Sequence, residues 1–164
     1  RLSLVGSEMC IRDSCYGEFT EKLEPSQVGA DIIAGSLIKN LGGGIAITGG
    51  YICSNKDLIE YCSNYLTAPG IGKDEGLSFG QNRLFMEGLY FAPHVVKEAM
   101  KVALLFSTCF NELGFEVIPK INDKRSDIVQ SIIFKDPEML KDFCKSVQSA
   151  CSVDSNLILS LIHI

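Results

Sequence analysis

Apolar positions follow two rhythms along this chain. Short apolar runs bounded by glycine or polar clusters predict strands. These are Ile32-Ile33 after Val28-Gly29-Ala30-Asp31, Ile45-Ala46-Ile47-Thr48, Tyr51-Ile52-Cys53, Phe115-Glu116-Val117-Ile118, and Ile128 to Phe134. Gly49-Gly50 lies between the second and third, which predicts a hairpin joining them. Cys15-Tyr16-Gly17-Glu18-Phe19 reads as a strand end entering a loop, and Thr20 to Gln27, broken by Pro25, as a polar connection. Helical spacing appears elsewhere. Ser54-Asn55 precedes Leu58, Ile59, Cys62 and Leu66, so a capped helix starts near Lys56. A second helix covers Gly80 to Tyr90. Pro93 then opens a long one from His94 to Leu113, stopped by Gly114, with Val95, Ala99, Val102, Leu105 and Phe106 on its buried face. Asp136 caps the last helix, Pro137 to about Ala150, with Met139, Leu140, Phe143, Cys144 and Val147 on one side. Thr67 to Ser78 is a long loop rich in glycine.

This order suggests the back part of one α/β domain, a long connecting helix, and the start of a smaller α+β domain. Composition fits such a globular chain: 164 residues, 46% hydrophobic, 21% charged, net charge −5. The acidic balance argues against nucleic acid as a partner, since phosphate binding needs a basic face. No apolar run approaches the roughly 20 residues that span a bilayer, so no membrane partner is expected. Seven cysteines at irregular spacing, without a CxxC pair, point to reduced thiols in a cytoplasmic protein. Zinc would want close Cys/His pairs, and no metal site is expected.

The two ends change how the chain is counted. Leu159-Ser160-Leu161-Ile162-His163-Ile164 can be written in codons whose reverse complement, shifted by one base, encodes Met9-Cys10-Ile11-Arg12-Asp13 and begins a serine codon for Ser14. Residues 1–14 and 159–164 are therefore expected to be translated sequencing-library adapter, with a gene fragment between them. His163 and Cys10 then leave the functional argument, and His94 is the only native histidine. That weakens any Ser-His or Cys-His nucleophile reading.

The stretch with chemistry runs from Ala30 to Gly44. Its apolar run delivers Ser36 and Lys39 into a turn followed by Gly42-Gly43-Gly44. A lysine at the end of a buried run is costly unless it reaches water or has a task. Partial loss of hydration lowers an amine's pKa and favours attack on a carbonyl, the property pyridoxal phosphate enzymes use to hold their aldehyde. Ser36 lies where its hydroxyl can face the same pocket, and the glycines can offer backbone N–H groups to a phosphate. From spacing alone, a surface lysine beside a glycine turn is an equally good description. The P-loop spacing is missing.

Several blocks in fixed order go further. Cys15-Tyr16-Gly17-Glu18-Phe19, Val28-Gly29-Ala30-Asp31, Ser36-Leu37-Ile38-Lys39-Asn40, Thr67-Ala68-Pro69-Gly70-Ile71-Gly72, Gly80-Gln81-Asn82-Arg83, Ala92-Pro93-His94-Val95-Val96, Asp123 to Ile128 and Val153-Asp154-Ser155 together resemble the methionine gamma-lyase-like family, also labelled aluminium-resistance proteins. The likeness covers Cys15 to Asn156. It implies a fold-type-I enzyme using pyridoxal 5′-phosphate, a carbon–sulfur lyase acting on a small sulfur amino acid. It implies Lys39 as the Schiff-base lysine and Ser36 as a phosphate ligand. It also implies Asp13, two residues before the Cys-Tyr-Gly-Glu-Phe block and on the expected adapter segment, as the carboxylate on the pyridine nitrogen. Ser14 stands where the family pattern suggests asparagine, and Leu41 and Ile47 where it often has proline.

On this reading residues 15–92 end the large cofactor domain, 93–114 form the interdomain helix and 115–158 begin the small domain. The full-length parent would be a homodimer or homotetramer. This chain alone would be inactive, lacking the ring-stacking aromatic and the arginine for the substrate carboxylate. Tyr16, as a cofactor contact, and Glu18 both follow the carboxylate position and are further pocket candidates, as is Arg83, although local hydrogen bonding explains the first two and a surface ion pair the third as well. Aldol cleavage or transamination on the same cofactor are alternative reactions, and a non-catalytic phosphate-binding or interaction domain is the alternative from another class.

Overall fold

The structure is a computed structural model that describes residues 9–76 and 78–157. Residues 1–8 of the expected adapter segment and the tail 159–164 lie outside the described residues. Contacts divide the chain into one unit of Arg1–Leu104 with Lys124–Val129 and another of Leu105–Asp123 with Gln130–Ile164.

The first unit is built on a three-stranded sheet. Strand β1 (Ile11–Asp13) pairs in parallel with β2 (Ile32–Ser36), and β2 pairs antiparallel with β3 (Gly50–Ser54). The middle position explains the sequence of β2. A strand hydrogen-bonded on both edges and covered on both faces needs consecutive apolar residues, and both Ile32 and Ile33 are buried. Asp31 latches its start: the carboxylate accepts from the Cys10 amide at 2.8 Å, and Ser54 Oγ donates to the Asp31 carbonyl. The described part of the N-terminal segment is thus woven into the sheet, with Asp13 opposite Ala34 and the Ser14 amide donating to the Ala34 carbonyl at 2.9 Å.

The expected hairpin is replaced. The partner of β3 is β2, and Ile45–Thr48 forms no strand. The glycines fold the chain back so tightly that the amides of Ile45 and Ala46 both donate to the Gly42 carbonyl. Those donors are then lost to any ladder. Helix α1 (Lys56–Ser63) begins as expected, with Asn55 Oδ1 accepting from the Leu58 amide at 3.0 Å.

Helix α2 (Asn82–Glu112) is one continuous 31-residue helix, not two. Pro93 removes one intrahelical donor, a cost of about 3 kcal/mol. The buried positions Gly88, Ala92 and Val96 keep a four-residue period straight across it, so packing on both sides holds one axis. The buried stripe also differs from expectation. It is made of small residues, Ala92, Val96 and Ala103, while Val95, Val102, Leu105 and Phe106 are exposed. Close backbone approach selected for small side chains here, as the site geometry below makes plain.

In the second unit β4 (Glu116–Ile118) pairs antiparallel with β5 (Ser131–Ile133), followed by α3 (Pro137–Ala150). Asp136 caps α3, its carboxylate accepting from the Glu138 amide at 3.0 Å. Five phenylalanines form a linked aromatic cluster, with Phe106 on its exposed side. Phe110 contacts Phe106, Phe115 and Phe143 with centroids 5.6–5.8 Å apart, and Phe134 closes the ring against Phe115 and Phe143. Strand β5 is shorter than the predicted Ile128–Phe134. The Ile128 amide is already bonded to the Tyr16 carbonyl at 3.2 Å, within the first unit. No described helix is long and apolar enough to cross a membrane.

Candidate active site

Asp13 is the last residue of β1 and Ser36 the last of β2, neighbours in parallel. Both therefore project from the carboxyl edge of parallel strands, where α/β sheets bind ligands because the chain must leave the sheet there and open a crevice. Lys39 follows three residues later, immediately before a 3-10 turn, Asn40–Gly42. Its amide donates to the Ser36 carbonyl at 3.3 Å, and its carbonyl accepts from Gly42 at 3.1 Å. Ser36 Oγ accepts from the Ile38 amide at 3.3 Å, which leaves the hydroxyl proton for a ligand.

Glycine is required in this turn for contact rather than for anion binding. A Cβ on Gly42 would sit 1.6 Å from the Leu37 carbonyl oxygen. Gly43 has φ +57°, and its Cβ would lie 2.3 Å from the Gly88 carbonyl oxygen of α2. The backbone of α2 rests directly on the lysine turn. The amides of Gly42 and Gly43 are spent on the Lys39 and Asn40 carbonyls. For these two amides the expectation of N–H groups offered to a phosphate is corrected; no described bond takes the Gly44 amide.

Lys39 is half-buried, and its Nζ lies 4.4 Å from the centroid of the Tyr16 ring. Burial pulls the ammonium pKa down, but hydrogen bonding and charge from the Cys15 side chain, with the Tyr16 phenol, outweigh it, and the net direction is up. The expected depression is corrected: the strand end is not dry enough for desolvation to win against two acidic neighbours. Asp13 shifts the opposite way. Its carboxylate accepts from the Cys15 amide at 2.9 Å, and that bond, the Cys15 side chain and the Lys39 charge hold it below the usual carboxylate value. Ammonium and carboxylate are thus each stabilised in the charged form, and Asp13 feels the Lys39 charge through space.

Tyr16 takes φ +67° and Phe19 φ +63°, left-handed conformations uncommon outside glycine. The loop is held in them from the far side. Thr20 Oγ1 shares its one proton between the Gly17 and Ser126 carbonyls, 2.6 and 3.0 Å away, and Gly17 passes too close to Ser126 for comfortable growth of a side chain.

Glu18 does not line the pocket; it is buried at 3% exposure, with Oε1 accepting from the Tyr51 hydroxyl at 2.7 Å. Burial first, then Glu18, pushes the Tyr51 phenol well up. Asn40, also buried, donates from Nδ2 to the Glu18 carbonyl at 3.1 Å. Tyr51 does not stand out in the sequence; only the strand register Gly35↔Tyr51 brings it in. Arg83 and His94 are exposed on α2, and no described contact brings them to the cluster. A groove of about 520 Å³ lies between β3 and α1, lined by Tyr51, Ile52, Ile59 and Leu66 among others, away from Lys39.

A mixed α/β unit that gathers a lysine, a carboxylate and a hydroxyl at the ends of parallel strands has the layout of a ligand-binding α/β enzyme. The chain belongs to the methionine gamma-lyase family, whose model matches residues 4–161. It is 50% identical to a candidate cystathionine beta-lyase involved in aluminium resistance from Clostridium acetobutylicum, with a TM-score of 0.88 over 93% of this chain and 36% of that one. A carbon–sulfur lyase involved in aluminium resistance from Clostridium novyi NT is 52% identical, with the same TM-score and coverage. Among curated proteins, an uncharacterised 33.9 kDa protein encoded in the glnA 5′ region of Lactobacillus delbrueckii subsp. bulgaricus is 48% identical over 143 residues, 87% of this chain and 47% of the relative. The chain spans less than half the length of the curated relatives it matches.

Proposed function

We propose that this chain carries the cofactor-anchoring part of a fold-type-I, pyridoxal 5′-phosphate-dependent carbon–sulfur lyase acting on a sulfur amino acid. The placement of Asp13 and Ser36 at the carboxyl ends of neighbouring parallel strands, with Lys39 three residues on, in a member of the methionine gamma-lyase family, supports this reading. The donor set suits the group. Lys39 supplies the primary amine that an aldehyde needs, Asp13 a carboxylate kept ionised for a pyridinium nitrogen, and Ser36 a hydroxyl donor for phosphate. Tyr16 adds an aromatic face beside the amine.

When bound, the cofactor supplies an electron sink for negative charge developing at the substrate Cα. The chain's own residues do the rest. Lys39, an ammonium at rest, would pass a proton to solvent water to become the nucleophile, and its amine, once released again, could move the Cα proton. Asp13 holds the opposing positive charge. Loss of a thiol from Cβ or Cγ would follow, with later release of the unsaturated remainder, and belongs to the whole protein; this chain covers 36% of each of those structural relatives. A homodimer or homotetramer is proposed for that assembly.

The test adds pyridoxal 5′-phosphate to the whole protein and reads the visible absorbance of lysine-bound cofactor, with reduction and peptide mapping to locate it. Label on Lys39, lost in Lys39→Ala, is the expected result. Absence of the band in the wild type, or its survival in Lys39→Ala, refutes the assignment.

A further inference from the structure

Glu18 is the one buried acidic side chain among the described residues, and half of it is unexplained. Oε1 accepts from Tyr51, while Oε2 is equally buried with no described partner. Burying a carboxyl in this way is costly, so something must hold it there. Tyr51 does so by an unusual route. It belongs to β3 and crosses β2 to reach Glu18, passing over its register partner Gly35. A Cβ on Gly35 would lie 2.6 Å from the Tyr51 ring, so the crossing requires glycine. The hydroxyl stays protonated across the ordinary pH range, because burial and Glu18 both oppose its ionisation, and it remains a constant donor.

From Glu18 the chain touches the lysine turn twice. The Glu18 carbonyl accepts from the buried Asn40 side chain, the residue after Lys39. Two residues earlier, the Tyr16 ring faces the Lys39 ammonium from a backbone conformation that tyrosine rarely adopts. We propose that Glu18, gripped by Tyr51 across Gly35, is a positioning residue for Lys39: the pair fixes residues 16–18, which seat the lysine through the Tyr16 ring and the Asn40 side chain. This rests on the reading of Lys39 as the reactive amine.

Reductive methylation with formaldehyde and cyanoborohydride tests it without any cofactor, so failure of cofactor binding and failure of this proposal are separate results. The labelling rate of Lys39 is read by peptide mass spectrometry, with exposed Lys56 and Lys145 as internal references. Tyr51→Phe, which removes only the hydroxyl, is expected to speed Lys39 labelling about two- to five-fold, the loss of one exposed cation–π contact. The references should not change. Tyr16→Leu should do the same, and the double variant should be no faster than Tyr16→Leu, because both act through one contact. Glu18→Gln keeps an acceptor oxygen and should label at the wild-type rate, whereas Glu18→Leu should be fast. The proposal is overturned if folded Tyr51→Phe labels like wild type, or if the two tyrosine effects multiply. If Tyr51→Phe does not fold, the Glu18 pair decides: a fast Leu variant beside a wild-type Gln variant supports the proposal, and equal rates overturn it.

Discussion

Gly88→Ala offers a test in which the sign alone is informative. In an ordinary helix interior, alanine stabilises relative to glycine by about 1 kcal/mol. At position 88 the new Cβ would stand 2.2 Å from the Gly42 carbonyl oxygen and 2.8 Å from its carbon. Both are backbone atoms and cannot swing aside. The turn has no room to retreat, since Gly42 is itself packed against the Leu37 carbonyl and Ala46. Helix α2 must therefore back away from the lysine turn. Overpacking of this kind costs about 1–3 kcal/mol, and rigid atoms on both sides place it at the upper end. After the propensity gain, a net loss of about 2 kcal/mol remains. With a urea slope of about 1–3 kcal/mol/M, the midpoint should fall by about 1 M at unchanged slope. Hydrogen exchange supplies the local reading: the Gly42 and Gly43 amides, bonded within the turn, should exchange faster. A raised midpoint with unchanged exchange would refute the backbone contact, because the bare propensity gain would then have been expressed.

Three other outcomes are expected. Asn55→Ala removes the acceptor for the Leu58 amide and should destabilise α1 by about 1 kcal/mol, seen as loss of protection in residues 56–63; unchanged protection would show that the cap contributes nothing. Phe110→Ala takes out the phenylalanine with three ring partners and should cost about 3 kcal/mol in urea unfolding, at the low end for such a truncation because the ring is only half-buried; a loss below about 1 kcal/mol would contradict the cluster. Asp13 has a folded pKa below its ordinary 3.8, so its contribution is present above that value and is lost as pH falls through the folded one. The stability gap between wild type and Asp13→Asn should therefore be flat near neutrality and close in acid, and a gap that widens toward low pH would overturn the assignment.

The strand and cap signals in the sequence were local ones, and the structure keeps them. Ile32-Ile33, Glu116–Ile118, Asn55 and Asp136 all sit where pattern and cap chemistry put them. What pattern missed depends on pairing at a distance. The Gly-Gly pair before Tyr51 suggested a hairpin, but the neighbouring glycines at 42–44 had already turned the preceding segment into a coil closed on the Gly42 carbonyl. Pro93 looked like a helix start because a proline is welcome there, yet the buried period from Gly88 to Val96 runs through it. The large apolar residues of α2 pointed to the wrong face for the same reason: the tightest contact excludes side chains. At the site, Lys39 and Ser36 were legible from one short stretch. Tyr51 was not, since its route to Glu18 exists only in the register that sets it opposite Gly35.

The register of β1 against β2 depends on the amino edge of the sheet. A slip of one residue between β1 and β2 would turn every side chain of β1 to the opposite face, and Asp13 with it. Three-residue β1 has too little burial to prevent this alone, for all its residues are exposed. Asp31 supplies what is missing. Its carboxylate takes the Cys10 amide, and the amides of Asp31 and Ile32 both take the Cys10 carbonyl. Both backbone groups of Cys10 are thereby fixed at one position, and the count from Cys10 to Asp13 sets which residue ends β1. A side chain at the amino edge thus determines that a carboxylate, rather than the arginine before it, stands at the carboxyl edge of β1. If β1 slipped by one, Arg12 would take that place, and the charge that now helps hold Asp13 ionised would act against its replacement.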